Sequence, residues 1–152
     1  MIKDRNKIPI SILVCDDDED DRMLTRQALE DAHISNTVRF VEDGEQLLDY
    51  LYQRGPFSGE TGEAPRPGLI LLDLNMPKLD GREALKTIKE DDTLRDIPVV
   101  VLSTSRLDED IARSYQLGVN SFITKPVTFS GLVEAMNVLG RYWLEIVELP
   151  PA

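Results

Sequence analysis

Short apolar runs and amphipathic stretches alternate along the chain. Ile10–Cys15 is apolar apart from Ser11, and Thr37–Val41 is rich in β-formers. Leu69–Leu72 and Val99–Leu102 are apolar throughout, and Ser121–Thr124 supplies a further run. Continuous runs of this length suit strands buried on both faces. The stretches between them carry helical spacing. Leu24, Ala28 and Ala32 recur at i, i+4, i+8, and Leu47, Leu48, Leu51 and Tyr52 form a second stripe. Leu85 and Ile88 mark a third helix after the Asp80-Gly81 turn. Ser105–Asp108 reads as a capping box opening another helix, with Ile111 and Tyr115 inward. Thr128 reads as the cap of the last, whose inward stripe is Leu132, Met136, Leu139 and Trp143.

Strand then helix, repeated, predicts an α/β fold. With right-handed crossovers it is a flavodoxin-like (βα)5 doubly wound parallel sheet of order 2-1-3-4-5. Two segments break the repeat. Gly55–Gly68 is a Gly/Pro-rich connection without periodicity, read as a flexible surface loop. The tail, residues 144–152, cannot be helical through Pro150 and Pro151. The chain reads as a single domain over 1–152, with its core over about 9–143.

Composition narrows the function. With 17 basic and 28 acidic side chains, the net charge is −11. Such a balance disfavours nucleic acid and anionic membrane surfaces, because there is no basic patch to meet phosphates. A lone Cys15 excludes an intrachain disulfide and a thiolate metal cluster, and a lone His33 argues against a His-rich zinc site. Met1–Pro9 has no apolar signal core, and no run approaches the ~18 apolar residues of a membrane span. The expectation is a cytoplasmic protein.

Ligands of open parallel sheets sit beyond the carboxyl ends of the strands. The first strand ends in Asp16-Asp17, inside the run Asp16–Asp21, and the third ends in Asp73. Asp20 and Asp21 read as acids of a helix's first turn, favourable to its dipole. If strands one and three are neighbours, Asp16, Asp17 and Asp73 converge. Three ionised carboxylates repel one another, and a hard divalent cation bound by oxygen offsets the repulsion. For phosphate chemistry that cation is Mg2+. The fourth strand ends in Ser103, a hydroxyl donor, and the fifth in Lys125-Pro126, an ammonium. Acids, a hydroxyl and an ammonium form an assembly for phosphoryl transfer to a carboxylate. Asp73, alone at the central strand's end, is the expected nucleophile.

These residues resemble the receiver domain of two-component response regulators over nearly the whole chain. Ile12–Asp17 is similar to that family's first strand and acidic pair. Leu71–Pro77, with Asp80-Gly81, is similar to its phosphoacceptor segment, and Pro98–Ser103 and Lys125-Pro126 to its switch strand and lysine. The resemblance implies that Asp73 accepts phosphate from a phosphohistidine on a sensor histidine kinase. It implies that Asp16, Asp17, Asp73 and the Asn75 carbonyl bind Mg2+, that Ser103 and Lys125 hold the phosphoryl group, and that Pro126 is a cis-proline. Phe122 falls where the family has its switch aromatic. The loop over 55–68 and the tail resemble the single-domain subgroup that partners phytochrome-type kinases, and by that analogy the chain forms a homodimer. The resemblance carries no output enzyme. Asp73-Leu74-Asn75 also mimics the Asp-x-Asp of haloacid-dehalogenase-like phosphatases, but Asn75 cannot act as a carboxylate acid/base. A flavodoxin would need a Ser/Thr/Gly-rich phosphate loop where the acid run lies.

Overall fold

The computed structural model describes residues 10–34, 36–58, 64–73, 81–103, 121–126 and 128–141; the side chains of Gly81, Ser103, Ser121 and Phe122 are outside that description. The strands are β1 (Ile12–Cys15), β2 (Val38–Val41), β3 (Leu69–Leu72), β4 (Val99–Ser103) and β5 (Ser121–Thr124). They form a parallel sheet of order β2-β1-β3-β4-β5. The helices described are α1 (Glu19–Asp31), α2 (Gly44–Leu51), α3 (Gly81–Glu90) and α4 (Phe129–Leu139). The helix expected to open at Ser105 lies outside the described residues, as does Trp143.

Alternation along each strand divides the core in two. Leu13, Cys15, Ile70, Leu72, Val99 and Val101 face α2 and α3, where Leu47, Leu48, Leu85 and Ile88 meet them. Ile12, Val14, Leu69, Leu71, Val100 and Leu102 face α1 and α4, against Ala28, Leu29, Leu132, Met136 and Leu139. Helices on both faces explain why the strands read as continuous apolar runs.

The buried stripe of α1 is Thr25, Ala28 and Leu29, at i, i+3, i+4. Leu24, expected inward, is 45% exposed. In α2 Tyr50 is buried, whereas Tyr52 follows the helix as its cap and is exposed. The connection expected to be a loose loop is tied down at both described ends. Gly55–Phe57 is a short 3-10 turn, and Phe57 packs edge-on against Tyr50 with ring centroids 5.2 Å apart. Its return half is anchored by Tyr50 Oη donating to the Pro65 carbonyl (3.0 Å), Gln53 Nε2 to Ala64 (3.1 Å) and Arg66 Nη1 to Thr93 (2.7 Å).

Candidate functional site

Register brings the acids together. Cys15 pairs with Leu72 across β1 and β3, so the residues that follow, Asp16 and Asp73, leave adjacent strands side by side. The Asp73 N–H still donates to the Cys15 carbonyl (3.0 Å), which extends the ladder into the site. One carboxylate oxygen from each of Asp16, Asp17 and Asp73 lies within 4.8 Å of the others. Asp17 is exposed, while Asp16 and Asp73 are largely buried. Hard anionic oxygens in this number suit a hard cation such as Mg2+, Mn2+ or Ca2+.

Lys125 enters from β5. Its Nζ lies 2.9 Å from Asp16 Oδ2, 3.0 Å from Asp21 Oδ2 and 3.6 Å from Asp73 Oδ2. Burial acts to lower the lysine's pKa, but its hydrogen bond to Asp16, the Asp16 charge, the bond to Asp21 and the Asp73 charge outweigh this and raise it. The ammonium stays charged; among the described residues it lies within 4 Å of three carboxylates, and Asp17 joins two of these in the acidic cluster. Carboxylates gathered in this way also suit a divalent cation.

The loop after β1 is fastened locally. Asp18 caps α1 by accepting from the Asp21 N–H (3.1 Å), and Asp16 Oδ1 accepts from the Asp18 N–H (3.1 Å). Arg22 Nη1 donates to the Asp16 carbonyl (2.9 Å) and Nη2 to Glu42 Oε1 (3.3 Å). Beneath the acids lies Cys15, whose thiol donates to the Asp43 carbonyl (3.4 Å). Burial first, then the neighbouring charges of Asp43, Asp16, Asp73 and Asp17, push its pKa up, so it is held as a thiol.

The sequence expectations meet the structure unevenly. Asp16, Asp17, Asp73 and Lys125 come together. Ser103 ends β4 beside Thr124, and Phe122 pairs in register with Val101, but their side chains are outside the description. Asn75 lies outside the described residues. The cis-proline expectation is corrected: no peptide bond among the described residues is cis, so Lys125–Pro126 is trans. Trans is the lower-energy isomer of such bonds by about 0.5–1 kcal/mol. Pro126 in this geometry sits against the start of α4, where a Cβ added at Gly131 would lie 3.0 Å from Pro126 Cβ.

The sequence predicts Asp21 as a first-turn acid, and the structure gives it a second role as a partner of Lys125. The signal is in the spacing: Asp21 lies at i relative to Thr25 and Ala28 at i+4 and i+7, the two positions of that face which α1 buries. It was hidden by the neighbouring acids and by a stripe drawn through Leu24.

Comparison with known proteins agrees with this geometry. Residues 12–137 match the response regulator receiver domain. Response regulator Rcp1 of Synechocystis sp. is 38% identical over 151 residues, covering 99% of this chain and 100% of that protein. A crystal structure of the phosphorylated cyanobacterial phytochrome response regulator RcpA is 43% identical, with a TM-score of 0.85, covering 95% of this chain and 100% of that one. A crystal structure of the Mn2+-bound form of Rcp1 is 39% identical, with a TM-score of 0.84, covering 94% of this chain and 100% of that one. No helix among the described residues is long and apolar enough to cross a membrane. From its sequence match, its sheet order and its strand-end carboxylates, the chain belongs to the response regulator receiver domain family.

Proposed function

We propose that this chain is the phosphoacceptor of a two-component relay, taking a phosphoryl group onto Asp73 from the phosphohistidine of a phytochrome-type sensor kinase. The observation that carries the reading is the meeting of Asp16, Asp17, Asp73 and Lys125 at the ends of β1, β3 and β5. The phytochrome assignment draws on the likeness to RcpA and Rcp1.

In this mechanism the Asp73 carboxylate attacks phosphorus. A P–O bond forms as the P–N bond to imidazole breaks, and the leaving nitrogen keeps the electron pair. Lys125 is positioned to neutralise charge on the phosphoryl oxygens. Asp16 and Asp17, with Asp73 and the Asn75 carbonyl, are the ligands we assign to Mg2+, which when bound screens the same oxygens. Phosphorylation adds about −1.5 to −2 charges. Ser103 and Lys125 then gain a reason to move toward Asp73, biasing the surface around β5 and α4, with Phe122 as the packing sensor. By analogy with the phytochrome-associated response regulators it resembles, the chain forms a homodimer. Such a switch acts in the cytoplasm and carries no enzyme of its own.

The test is intact mass after incubation with acetyl phosphate and Mg2+. Wild type is expected to gain one phosphoryl group, and Asp73→Asn or chelator to abolish the gain. Uptake that persists in Asp73→Asn overturns the assignment. No uptake under conditions that phosphorylate a control receiver favours a module that binds partners without phosphate.

A further inference from the structure

Lys125 carries three N–H donors. Two reach carboxylates at hydrogen-bond distance, on Asp16 and Asp21, while Asp73 Oδ2 lies beyond it at 3.6 Å. Asp16 belongs to the candidate cation cluster, and Asp21 does not. Among the described residues, the one side-chain partner of Asp21 is this lysine. Its backbone is fixed, because its N–H is held by the Asp18 cap and the next residue, Arg22, ties α1 to the ends of β1 and β2. Asp21 therefore cannot travel with the lysine as a rigid pair.

We propose that Asp21 is a positioning residue that holds Lys125 back from Asp73, so that charge arriving on Asp73 must draw the ammonium off Asp21. This rests on the reading of Asp73 as the phosphoacceptor. In the resting chain the lysine is shared between Asp16 and Asp21. In the phosphorylated chain the Asp21 contact is given up, and whatever it contributed opposes the phosphorylated state. The Asp21 side chain is 39% exposed, on the wall of a shallow groove that Leu24, Phe129 and Leu132 also line. Solvent screening puts the pair at the surface scale, an effect of about two- to fivefold on occupancy.

The experiment titrates beryllofluoride, a phosphoryl analogue, into the full chain in saturating Mg2+, with binding followed by 19F NMR. Asp21→Asn is expected to bind about two- to fivefold tighter than wild type. Asp20→Asn removes an equal charge from the same turn and is expected to leave the affinity unchanged, since no ion pair joins Asp20 to the lysine. In a Lys125→Ala background, Asp21→Asn is expected to give no gain. A purely structural role as a helix-terminus acid would lower the melting temperature in both Asn variants and leave the affinity alone. Unchanged or weaker binding by Asp21→Asn overturns the proposal, as does an equal gain from Asp20→Asn. Beryllofluoride binding that survives Asp73→Asn overturns the phosphoacceptor reading and the role of Asp21 with it. Asp73-dependent binding with no effect of Asp21→Asn overturns the role of Asp21 alone.

Discussion

Replacing Lys125 by Met keeps the aliphatic stem and removes the ammonium that Asp16, Asp21 and Asp73 surround. At 2.9–3.6 Å, each attraction is about 5 kcal/mol at an effective dielectric near 20. Desolvation of the lysine and the two buried carboxylates cancels most of this. The half-exposed Asp21 pair contributes on the surface scale, about 0.2–1 kcal/mol. Without the ammonium, Asp16 and Asp73 repel each other more strongly, so the expected loss is about 2–3 kcal/mol, below the ~3–5 kcal/mol for a fully buried pair. Urea unfolding in chelator at neutral pH measures it. Mg2+ then adds a signature. A cation held by these carboxylates would compete with the ammonium for Asp16 Oδ2 in wild type and would meet no such competitor in Lys125→Met. A five- to tenfold tighter site narrows the stability gap by about 1 kcal/mol in saturating Mg2+. A variant as stable as wild type in chelator refutes the charge balance drawn here. A gap that does not change with Mg2+ refutes the competition for Asp16.

Other expectations follow from contacts away from the lysine. A Cβ at position 68 would lie 2.5 Å from Ile10 Cβ and 2.7 Å from its Cγ2, so Gly68→Ala should cost about 1–3 kcal/mol by overpacking. Ile10→Gly, which removes that Cβ with the rest of the side chain, should recover part of the loss in a denaturation experiment, and additive losses would disprove the clash. Cys15 should resist thiol reagents at pH 8 until the chain unfolds, because it is buried and its pKa is raised; rapid labelling of the native protein would contradict this. The Asp91 carboxyl is lowered to about 2 by hydrogen bonds from Thr93 and then from Tyr52, whose hydroxyl lies at 2.6 Å. A depressed carboxylate stabilises above its ordinary pKa, and the effect is lost as pH falls from about 4 toward 2. Tyr52→Phe should raise the Asp91 midpoint in an NMR titration, and an unmoved midpoint would assign the shift to the bonds from Thr93 and Leu94.

The sheet is legible because burial on both faces writes itself as unbroken apolar runs, and Leu69–Leu72 and Val99–Leu102 are such runs. Helix faces were harder. In α1 the buried positions include Thr25, a polar residue, while the larger Leu24 lies at the groove and stays half-exposed. A stripe drawn by hydrophobicity alone follows the leucine and rotates the helix away from its true face. The return half of the 55–68 connection was illegible for another reason. Two of its three anchors are backbone carbonyls, of Ala64 and Pro65, which any residue type would present.

The site divides along the same line. Asp16, Asp17, Asp73 and Lys125 were legible because each sits where a strand ends, and topology alone then brings them together. Asp21 sits one helical turn further on, and its role depends on how α1 is rotated about its own axis. Hydrophobic spacing was the only guide to that rotation, and Leu24 misdirected it. Rotating the stripe onto Thr25 and Ala28 puts Asp21 on the inner face at the strand-end side, within reach of the lysine that leaves β5. A misplaced core residue and a missed site residue were therefore one error. In a sheet of this kind, the face a helix buries also decides which acid of its first turn can reach the strand ends.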